Sequence, residues 1–416
     1  GGVRVNKPVS IVDAGNADEI ERLRCGIDEL DRVLGKGLVP GSLVLLGGDP
    51  GVGKSTLLAQ MLQGIAVAHG KILYASGEES VAQTSMRAKR VGATNEGLTL
   101  YAETNLDAIL DQALEMRPAV LAIDSIQTVH CDALDSIPGS VGQVRECTGR
   151  LMAFSKTSGI PTILVGHVTK EGSIAGPKTL EHMVDTVMYL GGGRGHQFRT
   201  LRAVKTRFGP PDEIGVFEMT DAGLAEVANP SALFLADRDG DVSGAAVFAG
   251  IEGTRPVLVE IQALVAPSPL GTPRRNVVGW DSGRLSMVLA VLESRAGLQF
   301  TGKDVYLNVA GGFRISEPAA DLAVAAALTS ALYGLPLPGS MAIFGEIGLS
   351  GEIRAVSQMA ARLKEASKLG FTQILSPQSR GKLPKDGVAL RELAGVGDLF
   401  ELFPEQPAAE SRAVGL

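Results

Sequence analysis

The stretch that decides the fold reads Gly48-Asp49-Pro50-Gly51-Val52-Gly53-Lys54-Ser55-Thr56, and it fits the phosphate-binding loop pattern in full. It follows an apolar β-type run, Leu43 to Leu46, and opens an amphipathic stretch, Thr56 to Ala68. The motif requires this strand-to-helix setting, because backbone N–H groups of the loop and the helix N-terminus then converge on phosphate oxygens. We therefore predict that the whole loop binds a nucleoside triphosphate, with Lys54 on its β- and γ-phosphates and Ser55 as a ligand of Mg²⁺.

Around this loop, short apolar runs alternate with helix-length segments. The runs lie at Leu43 to Leu46, Ile72 to Ala75, Ala119 to Ile123, Thr162 to Val165 and Val184 to Leu190. Such alternation is typical of an α/β fold in which helices cover both faces of a mostly parallel sheet. We expect Thr56 to Ala68 and Val144 to Lys156 to be two of the crossover helices.

The pattern changes after Ile214 to Met219. Turn residues follow at Asp221-Ala222-Gly223 and at Asn229-Pro230, and the residue before a proline is disfavoured in a helix. We place the domain boundary near residue 229, which gives domains 1–229 and 230–416. The second domain combines strands near Val257 to Val265 and Val305 to Val309 with an Ala-rich helix from Ala319 to Leu332, so it is predicted to be α+β.

Composition narrows the class of protein. The chain has 416 residues, 45% of them hydrophobic, and a formal net charge of -7. This excludes a disordered chain and gives no global sign of a polyanionic partner, so any nucleic-acid site must be local. Three separated cysteines, Cys25, Cys131 and Cys147, predict neither a disulfide framework nor a paired-Cys zinc site. Because no run is long enough to cross a bilayer either, we expect a soluble, cytoplasmic protein without a membrane partner.

Two predicted strands end in acidic residues. Ala119 to Ile123 is followed by Asp124, which we expect beside Ser55 at the carboxyl edge of the sheet as the second group on the Mg²⁺ side. Ile72 to Ala75 is followed by Glu78 and Glu79, of which Glu78 is our candidate to polarise the attacking water. The alternative for both glutamates is a helix-capping role, since acids favour helix N-termini.

Several segments together resemble the bacterial RadA (Sms) family over nearly the whole chain. Besides the phosphate loop they are Gly26 to Arg32, Ser76 to Ser80, Ile123 to Gln127 and Lys205-Thr206-Arg207-Phe208-Gly209. The resemblance implies a RecA-like ATPase core that uses ATP and Mg²⁺, a homohexameric ring, and branch migration of recombination intermediates alongside RecA, with single-stranded and branched DNA as partners. It also favours Glu78 over Glu79 as the water-activating group.

The segment from Lys205 to Gly209 matches the family hallmark Lys-Asn-Arg-Phe-Gly, with Thr206 in place of Asn. Lys205 and Arg207 occupy alternate positions of a strand and so project to one face. From there they can reach a neighbouring subunit's γ-phosphate and stabilise the charge that spreads in the transition state. The alternative is a solvated basic strand.

Local positive charge identifies candidate DNA contacts. Between Gly191 and Gly209 there is no acid, and Arg199 and Arg202 join Arg194, Lys205 and Arg207 there. The resemblance implies that the Gly-rich segment after His167 lines a DNA channel, which points to Lys170 and Lys178, and that His167 is a sensor between the γ-phosphate and this segment. Such side chains neutralise the phosphate backbone without reading sequence. An ordinary hydrogen-bonded histidine and solvated lysines are the alternatives.

The second domain resembles the proteolytic domain of Lon, whose chemistry needs a Ser nucleophile and a Lys base. Matching the motifs places Ala319 and Ala360 at those positions, and neither methyl group can attack a carbonyl or accept a proton. We therefore predict a protease fold without protease activity, used for ring formation and DNA contact through Arg274, Arg275 and Arg314.

Three functions stay open at this point. A DNA motor is favoured by the resemblance to RadA, an ATP-driven signalling hexamer of the KaiC kind shares the phosphate loop, and an active Lon-type protease is disfavoured by the missing Ser and Lys. RadA proteins normally begin with a four-cysteine zinc module, and this sequence has no such cysteine spacing. We expect zinc only in that module, and RecA coupling to depend on it.

Overall fold

The computed structural model describes residues 10–12, 20–167, 180–192, 197–238, 241–269, 271–379 and 387–403. The chain divides into two compact units, Gly1–Val227 and Ala228–Leu416, close to the boundary predicted near residue 229. The helices of the first unit are α1 (Asp28–Val33), α2 (Lys54–His69), α3 (Val81–Arg90), α4 (Leu106–Met116) and α5 (Val141–Ser158). Its strands are β1 (Leu43–Gly48), β2 (Ile72–Ser76), β3 (Leu98–Tyr101), β4 (Val120–Asp124), β5 (Thr162–His167), β6 (Thr186–Gly191), β7 (Phe198–Thr206), β8 (Ile214–Thr220) and β9 (Gly223–Glu226).

These strands form one sheet in the order β3-β2-β4-β5-β1-β6-β7-β8-β9. Strands β1 to β6 pair in parallel and β7 to β9 add an antiparallel edge. Alternate residues of β1 enter different cores, because Leu43 and Leu45 pack on one face and Val44 and Leu46 on the other. The predicted α/β fold with a mostly parallel, two-sided sheet is confirmed.

The apolar runs predicted as strands are β1, β2, β4, β5 and β6, and each ends one or two residues later than predicted. The added residues are polar or small, among them Gly48, Ser76, Asp124 and His167, and they continue the ladder of backbone hydrogen bonds. Helix α3 begins at a reciprocal cap in which Ser80 Oγ accepts from the Gln83 N–H and Gln83 Oε1 accepts from the Ser80 N–H. The carboxyl edge of the sheet is therefore where polar side chains collect.

The second unit is built on a mixed sheet of its own. Its helices are α6 (Pro230–Phe234), α7 (Ser282–Ala296), α8 (Asp321–Tyr333) and α9 (Met359–Lys368). Its strands are β10 (Ala245–Glu252), β11 (Arg255–Pro267), β12 (Arg275–Val278), β13 (Lys303–Val309), β14 (Met341–Ile343), β15 (Glu346–Ile347), β16 (Ile353–Arg354), β17 (Gln373–Pro377) and β18 (Ala389–Leu393). The sheet order is β12-β13-β11-β10-β14-β17-β18, while β15 and β16 form a separate ribbon. Helix α8 is buried from Asp321 to Ser330, as its Ala-rich sequence favours.

All three cysteines are free and buried, and the sulfur atoms of Cys131 and Cys147 lie 3.3 Å apart. Burial is the main cause that raises the pKa of the Cys25 and Cys147 thiols. Among the described residues, none of the helices is both long enough and apolar enough to pass through a lipid bilayer.

Candidate nucleotide site

The phosphate loop lies at the carboxyl end of β1, the strand between β5 and β6, and leads directly into α2. Gly48 has φ +155°, and a Cβ there would lie 2.5 Å from the Leu190 carbonyl oxygen. Gly53, at the N-terminus of α2, has φ +112°, and a Cβ would lie 3.0 Å from Met219 Cε. Both positions therefore require glycine, which is the physical reason for the motif at these two places.

Lys54 is buried at the centre of this loop, with 4% of its surface exposed. Its Nζ donates to the carbonyl oxygens of Gly48 at 2.7 Å and Asp49 at 2.9 Å. Burial lowers the pKa of Lys54, and the nearby carboxylates of Asp124, Asp49 and Glu78 partly oppose this shift. The predicted phosphate-binding ammonium is thus held by the loop and lies close to the acidic ends of the neighbouring strands.

Asp124, the last residue of β4, is buried and has two unequal oxygens. Oδ2 accepts a hydrogen bond from the Tyr74 hydroxyl at 2.7 Å, whereas Oδ1 has no hydrogen-bond partner within the described part of the chain. A buried carboxylate oxygen left in this way fits a site completed by a cation.

The described residues contain no cluster of three or more His, Cys, Asp or Glu that could hold a metal ion. Mg²⁺ at a nucleotide needs no such cluster, because phosphates and water supply most of its ligands. Asp124 and Ser55, the second residue of α2, stay the predicted protein groups on the Mg²⁺ side. When bound, the ion would neutralise charge on the phosphates.

The structure separates the two candidate glutamates. Glu78 Oε1 accepts from Ser125 Oγ at 2.7 Å and contacts His167 Nε2 at 2.8 Å, whereas Glu79 Oε2 accepts from Arg87 Nη1 at 2.5 Å. Burial by itself raises the pKa of Glu78, but these two hydrogen bonds and the charges of His167 and Lys54 outweigh it, so the net shift is downward. An ionised Glu78 beside the phosphate loop supports the predicted role in polarising water.

His167 ends β5 opposite Gly48 of the phosphate loop in the sheet register. Besides touching Glu78, it exchanges backbone hydrogen bonds with the amide side chain of Gln127 at 3.3 and 3.4 Å. The sensor role of His167 stays a prediction. The segment 168–179, with Lys170 and Lys178, lies outside the described residues.

Both basic residues of the Lys205-to-Gly209 segment contact the turn before β6. Lys205 Nζ donates to the carbonyl oxygens of Glu181 at 2.5 Å and Val184 at 2.9 Å, and Arg207 Nη1 pairs with Asp185 Oδ1 at 3.2 Å. They therefore share a face, but Lys205 is engaged within its own chain. Arg207, with 48% of its side chain exposed, has the more accessible head group of the two.

The candidate DNA contacts fall into different environments. Arg199 is 9% exposed, and its Nε donates to the Val52 carbonyl oxygen of the phosphate loop at 3.0 Å. This buried position does not fit a DNA contact, and we reassign Arg199 to bracing the phosphate loop.

The other candidate DNA contacts are more accessible. Arg202 is half-buried on β7, while Arg274, Arg275 and Arg314 are exposed in the second unit. Arg275 donates to backbone carbonyls, including that of Phe300 at 3.3 Å. Arg194 lies outside the described residues.

A buried ion pair lies near Ala319 and Ala360, the two positions that match the Ser nucleophile and the Lys base of Lon. Ala319 is buried in the turn before α8, and Ala360 is exposed in the first turn of α9. Between these segments, fully buried Arg362 donates to Glu317 Oε1 at 2.9 Å and Oε2 at 2.7 Å. Because an arginine keeps its proton, it cannot act as the general base that a serine nucleophile needs.

Sequence reasoning missed four residues that shape the site, namely Tyr74, Arg87, Ser125 and Gln127. A polar hydroxyl within the apolar run of β2 was the available signal for Tyr74, because a buried tyrosine hydroxyl needs a partner. No comparable signal existed for Arg87, which lies on the amphipathic helix α3 among other basic residues.

Comparison with known proteins agrees with this geometry. Residues 14–173 match the family described as AAA domain, and residues 282–380 match the family described as subunit ChlI of Mg-chelatase. The chain is 57% identical over 392 residues to DNA repair protein RadA of Brucella abortus, which covers 93% of this chain and 84% of that protein. It is 49% identical over 399 residues to RadA of Bacillus subtilis, covering 95% and 86%, and 51% identical over 374 residues to RadA of Listeria monocytogenes, covering 89% and 82%. With an ATPase domain around the phosphate loop and this similarity along almost its entire length, the chain belongs to the RadA family.

Proposed function

We propose that the chain is an ATP-driven DNA motor that moves the branch points of recombination intermediates in the cytoplasm. The observation that carries the proposal is the convergence of Lys54, Asp124 and Glu78 at one edge of the sheet, in a chain whose relatives are named DNA repair proteins. A phosphate-binding lysine, a Mg²⁺-side carboxylate and a base are the groups that hydrolysis of ATP needs. Hydrolysis in turn supplies the free energy for directed movement.

We propose further that the working form is a homohexameric ring on single-stranded or branched DNA, acting together with RecA. Arg207, half-exposed beside Asp185, supports an intersubunit role because its head group is accessible to a neighbouring chain. In such a ring Arg207 stabilises charge on the neighbour's γ-phosphate, and Lys205 keeps the turn before β6 in place for it. Turnover then depends on assembly.

The exposed arginines of the second unit, Arg274, Arg275 and Arg314, are proposed to contact the phosphate backbone of DNA. Charge neutralisation of this kind gives affinity without base recognition, which suits a motor that passes over any sequence. The Arg362–Glu317 pair supports the interpretation of this unit as a platform without protease activity.

The test is an ATP-dependent branch-migration assay on a synthetic three-strand DNA junction. We expect strand exchange with the unaltered protein and none with Lys54→Ala, because that variant lacks the phosphate-binding ammonium. Lys71→Ala removes the exposed lysine that immediately precedes β2 and serves as the matched control, with activity unchanged. Hydrolysis of ATP without any movement of the branch point would contradict the motor proposal and leave a signalling ATPase.

A further inference from the structure

A chain of hydrogen bonds behind the nucleotide site connects α3 to the end of β4. Arg87 Nη1 donates to Glu79 Oε2 at 2.5 Å, and Arg87 Nη2 donates to the Tyr74 hydroxyl oxygen at 2.9 Å. The Tyr74 hydroxyl then donates to Asp124 Oδ2 at 2.7 Å. Arg87 Nη2 also lies 3.8 Å from the same Asp124 oxygen.

The arrangement fixes one oxygen of Asp124 and leaves the other for a ligand. The carboxylate is buried, and Tyr74 and Arg87 both act on Oδ2, while Oδ1 has no hydrogen-bond partner in the described part of the chain. A carboxylate is free to rotate about χ2 unless one oxygen is held. Holding Oδ2 therefore restricts χ2 of Asp124 and with it the direction of Oδ1.

Tyr74 belongs to the apolar core of the first unit and also borders a pocket. Tyr74 is 2% exposed, yet its ring borders a cavity of about 150 Å³ that is also lined by Leu62, Ala88, Leu98 and Leu100. The two hydrogen bonds of the hydroxyl locate Tyr74 with respect to Asp124.

We propose that Tyr74 and Arg87 are positioning residues for the Mg²⁺-side carboxylate, with Glu79 as the anchor that orients Arg87. Partners that orient a metal-ligating carboxylate commonly change metal affinity 10- to 100-fold when they are lost. Glu79 then differs from Glu78 in kind, because it acts through Arg87 and Tyr74 rather than on water. The inference rests on the nucleotide part of the proposed function and not on the DNA motor.

The test measures binding of the fluorescent nucleotide mant-ADP, without DNA, across a Mg²⁺ titration and in EDTA. For Tyr74→Phe we expect unchanged affinity in EDTA, but a half-saturating Mg²⁺ concentration about 10-fold higher than in the unaltered protein. Arg87→Lys keeps the charge but lacks the planar guanidinium whose two nitrogens bond Glu79 and Tyr74, so we expect a shift in the same direction. The matched controls are Tyr101→Phe on β3 and Arg90→Lys on α3, with no shift.

A Mg²⁺ requirement equal to that of the unaltered protein in both Tyr74→Phe and Arg87→Lys would overturn the proposal. A loss of affinity of the same size in EDTA and in Mg²⁺ would overturn it too, since that result means a general distortion of the loop. Circular dichroism identifies a variant that fails to fold, and the remaining one then decides. Because DNA is absent, the result is independent of whether the protein moves branch points.

Discussion

At the scale of single residues, the nucleotide site is a set of carboxylates held by different donors. Ser125 donates to Glu78 Oε1, which also contacts His167. Tyr74 donates to Asp124 Oδ2, which lies 3.8 Å from Arg87 Nη2. Since donors to the ionised form favour ionisation, the hydrogen bonds from Ser125 and His167 lower the pKa of Glu78 against the opposing effect of burial.

Ser125 gives a prediction for the pH dependence of turnover. The net pKa of Glu78 lies below its ordinary value of 4.5, so the base stays ionised and activity is lost only as the pH falls through that lowered pKa. Ser125→Ala removes a donor to the ionised form and leaves burial less opposed. We expect the acid limb of the profile of kcat/KM for ATP to move to higher pH.

The control is Ser158→Ala, which removes a hydroxyl bonded to the Phe154 carbonyl oxygen at the far end of α5. Its acid limb should coincide with that of the unaltered protein. If the Ser125 and Ser158 variants give the same acid limb, Ser125 does not tune the base.

Site residues that belong to a local sequence motif could be predicted, whereas residues that act through contacts between distant segments could not. The phosphate loop, Asp124 and Glu78 are short-range patterns at strand ends, so the sequence predicts them. Tyr74 and Arg87 act through contacts between β2, α3 and β4, and nothing in the sequence specifies which side chains meet there. For Arg199 the sequence prediction was wrong. A basic residue on a strand is expected to face solvent, but on β7 the Arg199 side chain donates to the phosphate loop.

At the scale of elements, helix α9 is attached to its sheet by a buried charge. Arg362 donates to the Ala249 carbonyl oxygen of β10 at 2.9 Å, pairs with Glu317, and lies 5.6 Å from the ring centroid of Phe344. Only its Nε bonds locally, to the Ser357 carbonyl oxygen just before α9 at 3.0 Å. These partners replace the water that a fully buried guanidinium loses, and an unpaired charge at such a position would be costly.

We expect Arg362→Ala to lower the free energy of unfolding of the second unit by about 3–5 kcal/mol, because Glu317 loses its cation and the site loses a large side chain. Arg354→Ala removes an exposed ion pair with Glu352 and should cost at most about 1 kcal/mol. The measurement is urea unfolding followed by fluorescence of Trp280, the single tryptophan, which is buried in this unit. Equal midpoints for the two variants would contradict the interpretation.

The sequence predicts the strands that are buried on both faces of the sheet, but not the very short strands. The buried parallel strands read as continuous apolar runs, whereas the two-residue strands β15 and β16 are too short to carry a pattern. In β7 the register shifts opposite Val187 and Met188. Val204 is exposed because it lies on the outer side of the alternation in which Arg199, Leu201 and Ala203 are buried.

At the scale of the whole molecule, the proposed ring divides each catalytic site between two chains. Lys54→Ala and Arg207→Ala then damage opposite sides of the same interface. Mixed rings would contain some interfaces in which an intact phosphate loop meets an intact Arg207. We expect each variant alone to lack turnover, and an equal mixture to recover about one quarter of the unaltered rate if subunits combine at random.

The control is a mixture of Lys54→Ala with the double variant Lys54→Ala/Arg207→Ala, which contains no intact phosphate loop and should stay inactive. A first mixture no more active than the average of its components would contradict the intersubunit role. It would leave Arg207 as a partner of Asp185 within one chain.

The buried cysteines have a practical consequence for following this protein by spectroscopy. A thiol reacts with maleimides as its thiolate, and burial together with a raised pKa keeps the Cys25 and Cys147 sulfurs both inaccessible and protonated. Cys131 is equally enclosed. A single cysteine introduced at an exposed position such as Val67, which is 67% exposed on α2, is therefore expected to react with a fluorophore while the three native thiols stay unlabelled. Conjugation chemistry can begin from the natural chain, with its own three thiols left in place.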